Sequence, residues 1–173
     1  MIRRLIIIIM LCLLPKFLFA QASILLTPVD ASLVGKPGES IAKDFTIVNT
    51  GKSSFLLVCN FGDLWYKNEK TITAEAGTFK DRQASSWLKC SPNRVLVAAN
   101  GKQVVKVVAS IPKDLEGDAF SMLYTEMRSP EELKDEGNMQ MQLSGRIGAR
   151  IIATADGTQK PSAEIVDVTI GKS

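Results

Sequence analysis

Histidine is absent from the 173-residue chain. Its absence excludes Ser-His-Asp and Cys-His catalytic arrangements and removes a common zinc ligand. The segment GKPGES at 35–40 lacks the spacing and the Lys-Ser/Thr ending of a phosphate-binding P-loop. Catalytic carboxylates need a rigid, partly desolvated site, whereas the acidic cluster here alternates with lysine in a charged segment and is typical of a solvated face. Its members are Glu131, Glu132, Asp135 and Glu136. We therefore predict no enzymatic activity, no metal site and no cofactor.

Long hydrophobic runs are scarce as well. The clearest one, at 5–14, follows Arg3 and Arg4 and is shorter than the about 20 residues that a transmembrane helix needs. A basic start, a short apolar run and an Ala-x-Ala pattern at Ala20 and Ala22 predict a secretory signal peptide at 1–22. The alternative is an uncleaved anchor. We favour the signal peptide and expect the chain to be exported.

An excess of charge of one sign is missing from the part that follows. Removing 1–22 takes away Arg3, Arg4 and Lys16, three of the 21 basic residues, and none of the 18 acidic ones. The remaining chain carries no net charge. Without a field of one sign there is no electrostatic argument for a nucleic-acid partner.

Cysteine is limited to three residues, and Cys12 lies within the expected signal peptide. Cys59 and Cys90 would remain in an exported protein, where a disulfide can form and persist. The two Cα atoms must lie within about 7 Å for a bridge to close. The sequence leaves two interpretations open: a Cys59–Cys90 disulfide or two small buried thiols.

What the sequence does contain is a series of short β-rich runs separated by Gly, Pro and Asn, without sustained helical periodicity. In QVVKVVASIP, for example, Val105, Val107, Ala109 and Ile111 share one face at period two. We predict an all-β, immunoglobulin-like antiparallel sandwich of about seven to eight strands. The candidate strands are 24–34, 41–49, 55–64, 87–90, 95–98, 103–111, 119–127 and 139–155, with a weak edge strand around Thr71–Thr73 inside an otherwise mobile segment.

The predicted domain occupies 23–156. Gly157 and Pro161 are typical of a linker, and EIVDVTIGKS after them alternates like one further strand. A lone strand cannot bury itself. It either completes the first sheet or begins a second domain that this chain lacks; we expect the second, with 157–173 as linker and first strand.

The last candidate strand raises a question of orientation. In NMQMQLSGRIGAR, Met139, Met141 and Leu143 alternate with polar residues before Arg146 and Arg150 appear. If the three apolar side chains face the core, the strand is an ordinary part of the sandwich. If they face outward, they form an apolar strand edge of the kind that most proteins avoid. Alternation alone favours the orientation toward the core, and the order of the neighbouring segments is needed to bring the outward orientation level with it.

The order of several short motifs resembles the N-terminal domain of PapD-like periplasmic pilus chaperones. These motifs are Asn49-Thr50 at a strand end, Ser91-Pro92 before an apolar strand, Gly101 in a turn, Ile111-Pro112 after the next strand, and Gly117 to Phe120 at the start of another. Each motif is weak by itself, but their order and spacing extend over nearly the whole first domain. The resemblance implies the immunoglobulin-like fold more strongly than any activity.

In that family, the last strand of the first domain presents apolar residues to a pilus subunit that lacks its own final strand, a form of β-augmentation. The resemblance thereby assigns Met139, Met141 and Leu143 to partner binding. Family members also use an arginine in the first strand and a lysine in the last to bind the subunit's terminal carboxylate. Here the first strand has no basic residue and Gly148 replaces the lysine, so the flanking Arg146 and Arg150 are the candidate anchors.

Two functions follow from this sequence. The first is a non-enzymatic periplasmic or cell-envelope chaperone-like module that binds a pilus or other secreted subunit by strand addition. The resemblance adds an outer-membrane usher as a further partner. We expect no nucleic-acid partner and no small-molecule substrate. The second is a structural immunoglobulin-like envelope or surface domain without chaperone activity.

Overall fold

Ten β-strands account for most of residues 24–67, 70–80, 82–130 and 145–160, the parts of the chain that the computed structural model describes. The strands are β1 (Ile24–Thr27), β2 (Asp30–Gly35), β3 (Ser40–Asn49), β4 (Phe55–Lys67), β5 (Lys70–Glu75), β6 (Leu88–Ser91), β7 (Arg94–Val97), β8 (Lys102–Ser110), β9 (Gly117–Arg128) and β10 (Gly145–Ala155). Nothing in these ranges forms a helix long and apolar enough to cross a membrane. The expected signal peptide at 1–22 and the strand expected after Pro161 lie outside the described residues.

The strands form two sheets that enclose one core. The first sheet has the order β1-β3-β8-β6, and the second has the order β2-β10-β9-β4-β5 with β7 also paired to β4. The predicted all-β sandwich is confirmed. It contains more than seven to eight strands because residues 24–35 form two strands rather than one, and because the weak edge strand expected around Thr71–Thr73 is present as β5 and pairs with β4.

The chain changes sheets near its start. β1 pairs antiparallel with β3 in the first sheet, whereas β2 pairs parallel with β10 in the second. Pro28 lies between them and has no N–H to donate to either ladder. The predicted strand 24–34 is therefore interrupted at Pro28, and one pair in a sandwich expected to be antiparallel is parallel. This change of sheet sets where β2 begins to cover β10.

Period-two alternation explains the core. Phe45 and Ile47 of β3 and Val105 and Val107 of β8 are fully buried, as the sequence predicted for the two valines. From the second sheet, Leu57, Leu123 and Ile151 are buried to the same degree. Each such side chain contributes about 1.5–3 kcal/mol when it leaves water. The buried faces of β9 and β10 thereby fix which of their side chains face outward.

The contacts of Asn49 explain the Asn-Thr motif at the end of β3. Its side-chain amide donates to the carbonyl of Ser53 at 2.8 Å and to that of Ala98 at 2.9 Å, and its Oδ1 accepts from the Gly51 N–H at 2.9 Å. Asn49 is almost completely buried. It therefore satisfies backbone groups of two turns that no strand partner reaches.

The segment expected to be mobile contains an anchored edge strand. β5 pairs with β4 from Gly62 opposite Glu75 to Lys67 opposite Lys70. The turn after it is held by the buried Asp63, whose carboxylate accepts hydrogen bonds from the Ser85 hydroxyl and from the Phe79 N–H. Burial acts to raise the pKa of Asp63, but these hydrogen bonds, with those from Gly77 and Thr78, outweigh it and hold the pKa below its ordinary value.

Candidate partner-binding edge

β10 is paired along its whole length on one side and along only part of its length on the other. β9 runs beside it from Gly145 to Ala155, whereas β2 covers only Arg150 to Ala155. Within the described ranges, no strand pairs with Gly145–Ala149 on the side away from β9. We name this half of β10 the open edge. Unpaired edges of this kind are templates for another strand.

The backbone groups that face outward at the open edge can be identified. The Arg150 N–H donates to the Val29 carbonyl at 2.8 Å, so the backbone groups of Arg150 point toward the β2 side. Successive residues of a strand direct their N–H and C=O groups to opposite sides. The groups of Gly148 and Arg146 therefore point to the open side, and those of Ala149 and Ile147 point to β9. Consistently, the Ile147 carbonyl accepts from the Thr125 hydroxyl of β9 at 3.4 Å.

The predicted apolar partner-binding residues Met139, Met141 and Leu143 lie outside the described residues. The predicted arginines are both on β10, and their side chains share the face opposite the core because Ala149 and Ile151 between and beside them are buried. The structure thus places Arg146 at the open edge and Arg150 at the point where β2 begins to cover the strand.

Arg146 lies over an aromatic ring. Its Cζ is 3.4 Å from the centroid of the Tyr124 ring, a cation–π geometry, and its Nε is 3.7 Å from Glu126 Oε1. Tyr124 and Glu126 are on β9, so the Arg146 side chain lies along the neighbouring strand while remaining 42% exposed. A guanidinium has five N–H donors, and these two contacts leave donors with which Arg146 can bind a carboxylate.

Two glycines flank the Tyr124 ring. A Cβ atom on Gly62 of β4 would lie 2.6 Å from Tyr124 Cε2, and one on Gly148 of β10 would lie 3.4 Å from Tyr124 Cδ1. The ring therefore extends over the strands on both sides of β9. A Cβ on Gly148, where the family resemblance predicts a lysine, would be in ordinary contact with this ring, so Gly62 is the glycine that the ring requires.

Arg150 is held by partners from two other strands. Its Nε is 2.6 Å from Asp30 Oδ1 of β2, and its Nη1 donates to the Tyr66 hydroxyl of β4 at 2.8 Å. Tyr66 in turn packs edge-on against Phe120 at 5.4 Å between ring centroids. The hydrogen bonds to Tyr66 and Asp30 raise the pKa of Arg150. An incoming carboxylate would have to compete with Asp30 for this guanidinium.

Sequence reasoning missed Asp30, Tyr66 and Tyr124. Period-two alternation in β9 would have placed Tyr124 on the outward face, since Leu123 is apolar and its neighbours alternate with it. The contacts of Arg150 could not be found in this way, because Asp30 is 120 residues away and Tyr66 is 84 residues away. Among the described residues, no group of acidic, cysteine or histidine side chains is arranged to hold a metal ion.

Comparisons with known proteins identify solved structures that share the fold of this chain. No family model and no curated protein matches the chain. The E. coli chaperone DraB has a TM-score of 0.54 at 10% identity, over 80% of this chain and 58% of that one. The chaperone–tip adhesion subunit pre-assembly complex CsuC–CsuE from archaic chaperone-usher Csu pili of Acinetobacter baumannii has a TM-score of 0.52 at 14% identity, over 79% of this chain and 58% of the matched one.

A similar structure also comes from outside this group. The ASH/PapD-like domain of human CEP192, PapD-like domain 7, has a TM-score of 0.53 at 14% identity, over 82% of this chain and 90% of that one. The chain thus spans a little more than half the length of the two chaperone chains and nearly the whole of the CEP192 domain. At these identities the similarity is one of fold, and the fold is that of a PapD-like domain.

Proposed function

We propose that this chain is a non-enzymatic, chaperone-like module of the periplasm or cell envelope that binds a pilus or other secreted subunit by β-strand addition along β10. The open edge, Gly145–Ala149, carries the proposal, since β9 covers it on one side and β2 stops short of it on the other. Strand addition requires such an edge, and the outward groups of Arg146 and Gly148 supply the backbone donors and acceptors.

The apolar part of binding is assigned to the residues just before the open edge. Met139, Met141 and Leu143 would fill a groove in the subunit, and burying each would contribute about 1.5–3 kcal/mol. Each backbone hydrogen bond to the added strand would contribute a further 0.5–1.5 kcal/mol or so. Methionine suits a groove whose shape varies between partners, because its side chain is unbranched and flexible.

The structural neighbours support a protein partner of this kind. One is a complex of the SafA pilin of Salmonella enterica with the SafB chaperone, with a TM-score of 0.53 at 11% identity. CsuC is likewise matched in a complex with a pilus subunit. We extend the partner class, a pilus or surface subunit, to this chain, and with it an outer-membrane usher as the protein that would receive the loaded complex.

We assign the anchoring of the subunit's terminal carboxylate to Arg146 before Arg150. Arg146 is on the open edge, and among the described residues the carboxylate paired with it is that of Glu126, 3.7 Å away. Arg150 is paired to Asp30 at 2.6 Å. The weaker existing pairing leaves Arg146 more able to accept a new bidentate partner.

The experiment uses Gly148, whose N–H points to the open side. Gly148→Pro removes that N–H. Gly148→Ala is the matched control, because it also adds a Cβ atom but keeps the N–H. This Cβ would lie 3.1 Å from the flexible end of the Met122 side chain. Hydrogen–deuterium exchange should show fast exchange at Arg146 and Gly148 in the free chain and protection when a pilus subunit from the same source is added. Binding should weaken at least tenfold in Gly148→Pro and persist in Gly148→Ala. Slow exchange in the free chain, or equal binding by both variants, would contradict strand addition here.

The second candidate, a structural domain, is favoured by one observation: the CEP192 domain matches over 90% of its length. Met141→Asp separates the two. A charge on an exposed strand should weaken subunit binding and leave the unfolding transition unchanged. If the variant instead fails to fold, Met141 is a core residue and the structural role is the better conclusion.

A further inference from the structure

Two cysteines that are 31 residues apart in sequence come together between the sheets. Cys59 is on β4 of the second sheet and Cys90 is on β6 of the first. The Cys90 thiol is 3.6 Å from the Cys59 carbonyl, to which it donates. The Cys59 N–H donates to the Asn93 carbonyl at 2.8 Å, which fixes β4 beside the turn that follows Cys90. Both residues are free thiols in the structure.

The two thiols differ in access. Cys59 is 4% exposed and belongs to the core, whereas Cys90 is only partly buried at its border. They also differ in acidity: the hydrogen bond from Cys59 lowers the pKa of Cys90, and the same interaction, together with burial, raises the pKa of Cys59. A lowered pKa and partial exposure make Cys90 the thiol that reacts first.

We propose that Cys59 and Cys90 are an oxidation site that closes into one disulfide joining the two sheets when the chain meets a disulfide oxidant such as oxidised glutathione. The Cys90 thiolate attacks one sulfur of the oxidant and releases one thiol, which leaves a mixed disulfide on Cys90. Cys59 then loses its proton, attacks Cys90 Sγ and releases the second thiol. Two protein thiols are oxidised, and one oxidant disulfide is reduced to two thiols.

This inference does not depend on the proposed function, since β4 and β6 are not part of the open edge. Its consequence concerns the stability of the sandwich. The bridge would join two positions 31 residues apart in sequence and restrict the unfolded chain. In an exported protein, such a bond would persist once formed.

The test uses the full chain with Cys12→Ser, so that Cys59 and Cys90 are the only thiols. After incubation with oxidised glutathione, tryptic digestion without reductant should yield residues 53–67 linked to 90–94, and the thiol count should fall from two to zero. The urea midpoint of unfolding should rise in the oxidised chain and return to its starting value after reduction. Persistence of two thiols that react with an alkylating agent, or linkage only between different chains, would overturn the proposal.

Single substitutions test the order of the two steps. Cys59→Ser should stop at a glutathione adduct on Cys90, because no second thiol is present to resolve it. Cys90→Ser should leave Cys59 unmodified until the chain is unfolded, because Cys59 is buried. An adduct on native Cys59 in the Cys90→Ser chain would contradict the assignment of Cys90 as the first thiol. The digest of the Cys12→Ser chain decides the disulfide itself even if either variant fails to fold.

Discussion

The two halves of β10 belong to one strand, yet they have different surroundings. In Arg150–Ala155, β2 and β9 pair on both sides, and Ile151, Ala153 and Ala155 are fully buried. In the open edge, Gly145–Ala149, only β9 pairs among the described strands, and Ile147 is half-buried where Ile151 is fully buried. The open edge also contains both glycines of β10 and the exposed Arg146. Charge at an exposed edge discourages non-specific pairing. Arg146 should therefore limit aggregation through the open edge while leaving its backbone groups accessible to a specific strand.

The largest expected difference between the halves is in core packing. Ile151→Ala should lower the free energy of unfolding by about 2–5 kcal/mol, because Ile151 is fully buried and its removal leaves a cavity. Ile147→Ala, the matched change in the open edge, should cost about 1 kcal/mol, because its side chain packs against the core but is only partly buried. Urea unfolding of both variants measures the difference. Equal losses would show that the open edge is as firmly packed as the covered half.

Local pattern was enough to predict the core. Val105, Val107 and Ala109 lie where period-two alternation placed them, because each strand of a sandwich has one buried face. The interruption at Pro28 was not predicted, since apolar residues continue on both sides of it and only long-range pairing shows that the chain changes sheets. That interruption determines where β2 stops covering β10, so the open edge could not be located from the sequence either.

The opposite border of the same sheet offers the next comparison, because β5 is held there by Asp63. Asp63→Asn should lower the free energy of unfolding at neutral pH by about 2 kcal/mol, since a charged acceptor of the Ser85 and Phe79 hydrogen bonds is lost. The pKa of Asp63 is lower in the folded chain than in the unfolded one. Its stabilising effect is therefore present above the ordinary pKa of about 3.9 and is lost as the pH falls through the lower folded value.

The measurement for Asp63 is urea unfolding of both proteins from pH 7 down to pH 2. The difference between them should be largest at neutral pH and should shrink below about pH 4. Hydrogen exchange at the open edge serves as the control and should be the same in both. A difference that does not change with pH would mean that the charge of Asp63 does not contribute, and faster exchange at Gly148 would mean that the two borders of the sheet are coupled.

The candidate site was only partly accessible from the sequence. Arg146 and Arg150 could be placed on one face of one strand by counting, because side chains alternate. Their partners could not be predicted: Tyr124 lies under Arg146 where Gly62 leaves room for its ring, and such a fit depends on the pairing of three strands. The sequence likewise placed Cys59 and Cys90 in different strands without showing that they meet.

The smallest expected effect lies at the boundary between the two halves, where Asp30 pairs with Arg150. Asp30→Asn should lower the free energy of unfolding by less than about 1 kcal/mol, because both side chains are partly exposed to solvent and such pairs contribute little. The local effect should be clearer, since Arg150 N–H donates to Val29 next to Asp30. Hydrogen–deuterium exchange at the Arg150 N–H should become faster, so that the open edge would include Arg150 as well.

Tyr66→Phe is the matched control, because it removes only the hydroxyl bound by Arg150 and leaves the Asp30 pair in place. If Tyr66→Phe accelerates exchange at Arg150 as much as Asp30→Asn does, the guanidinium is held mainly from β4. The start of β2 is then set by Pro28 rather than by this ion pair.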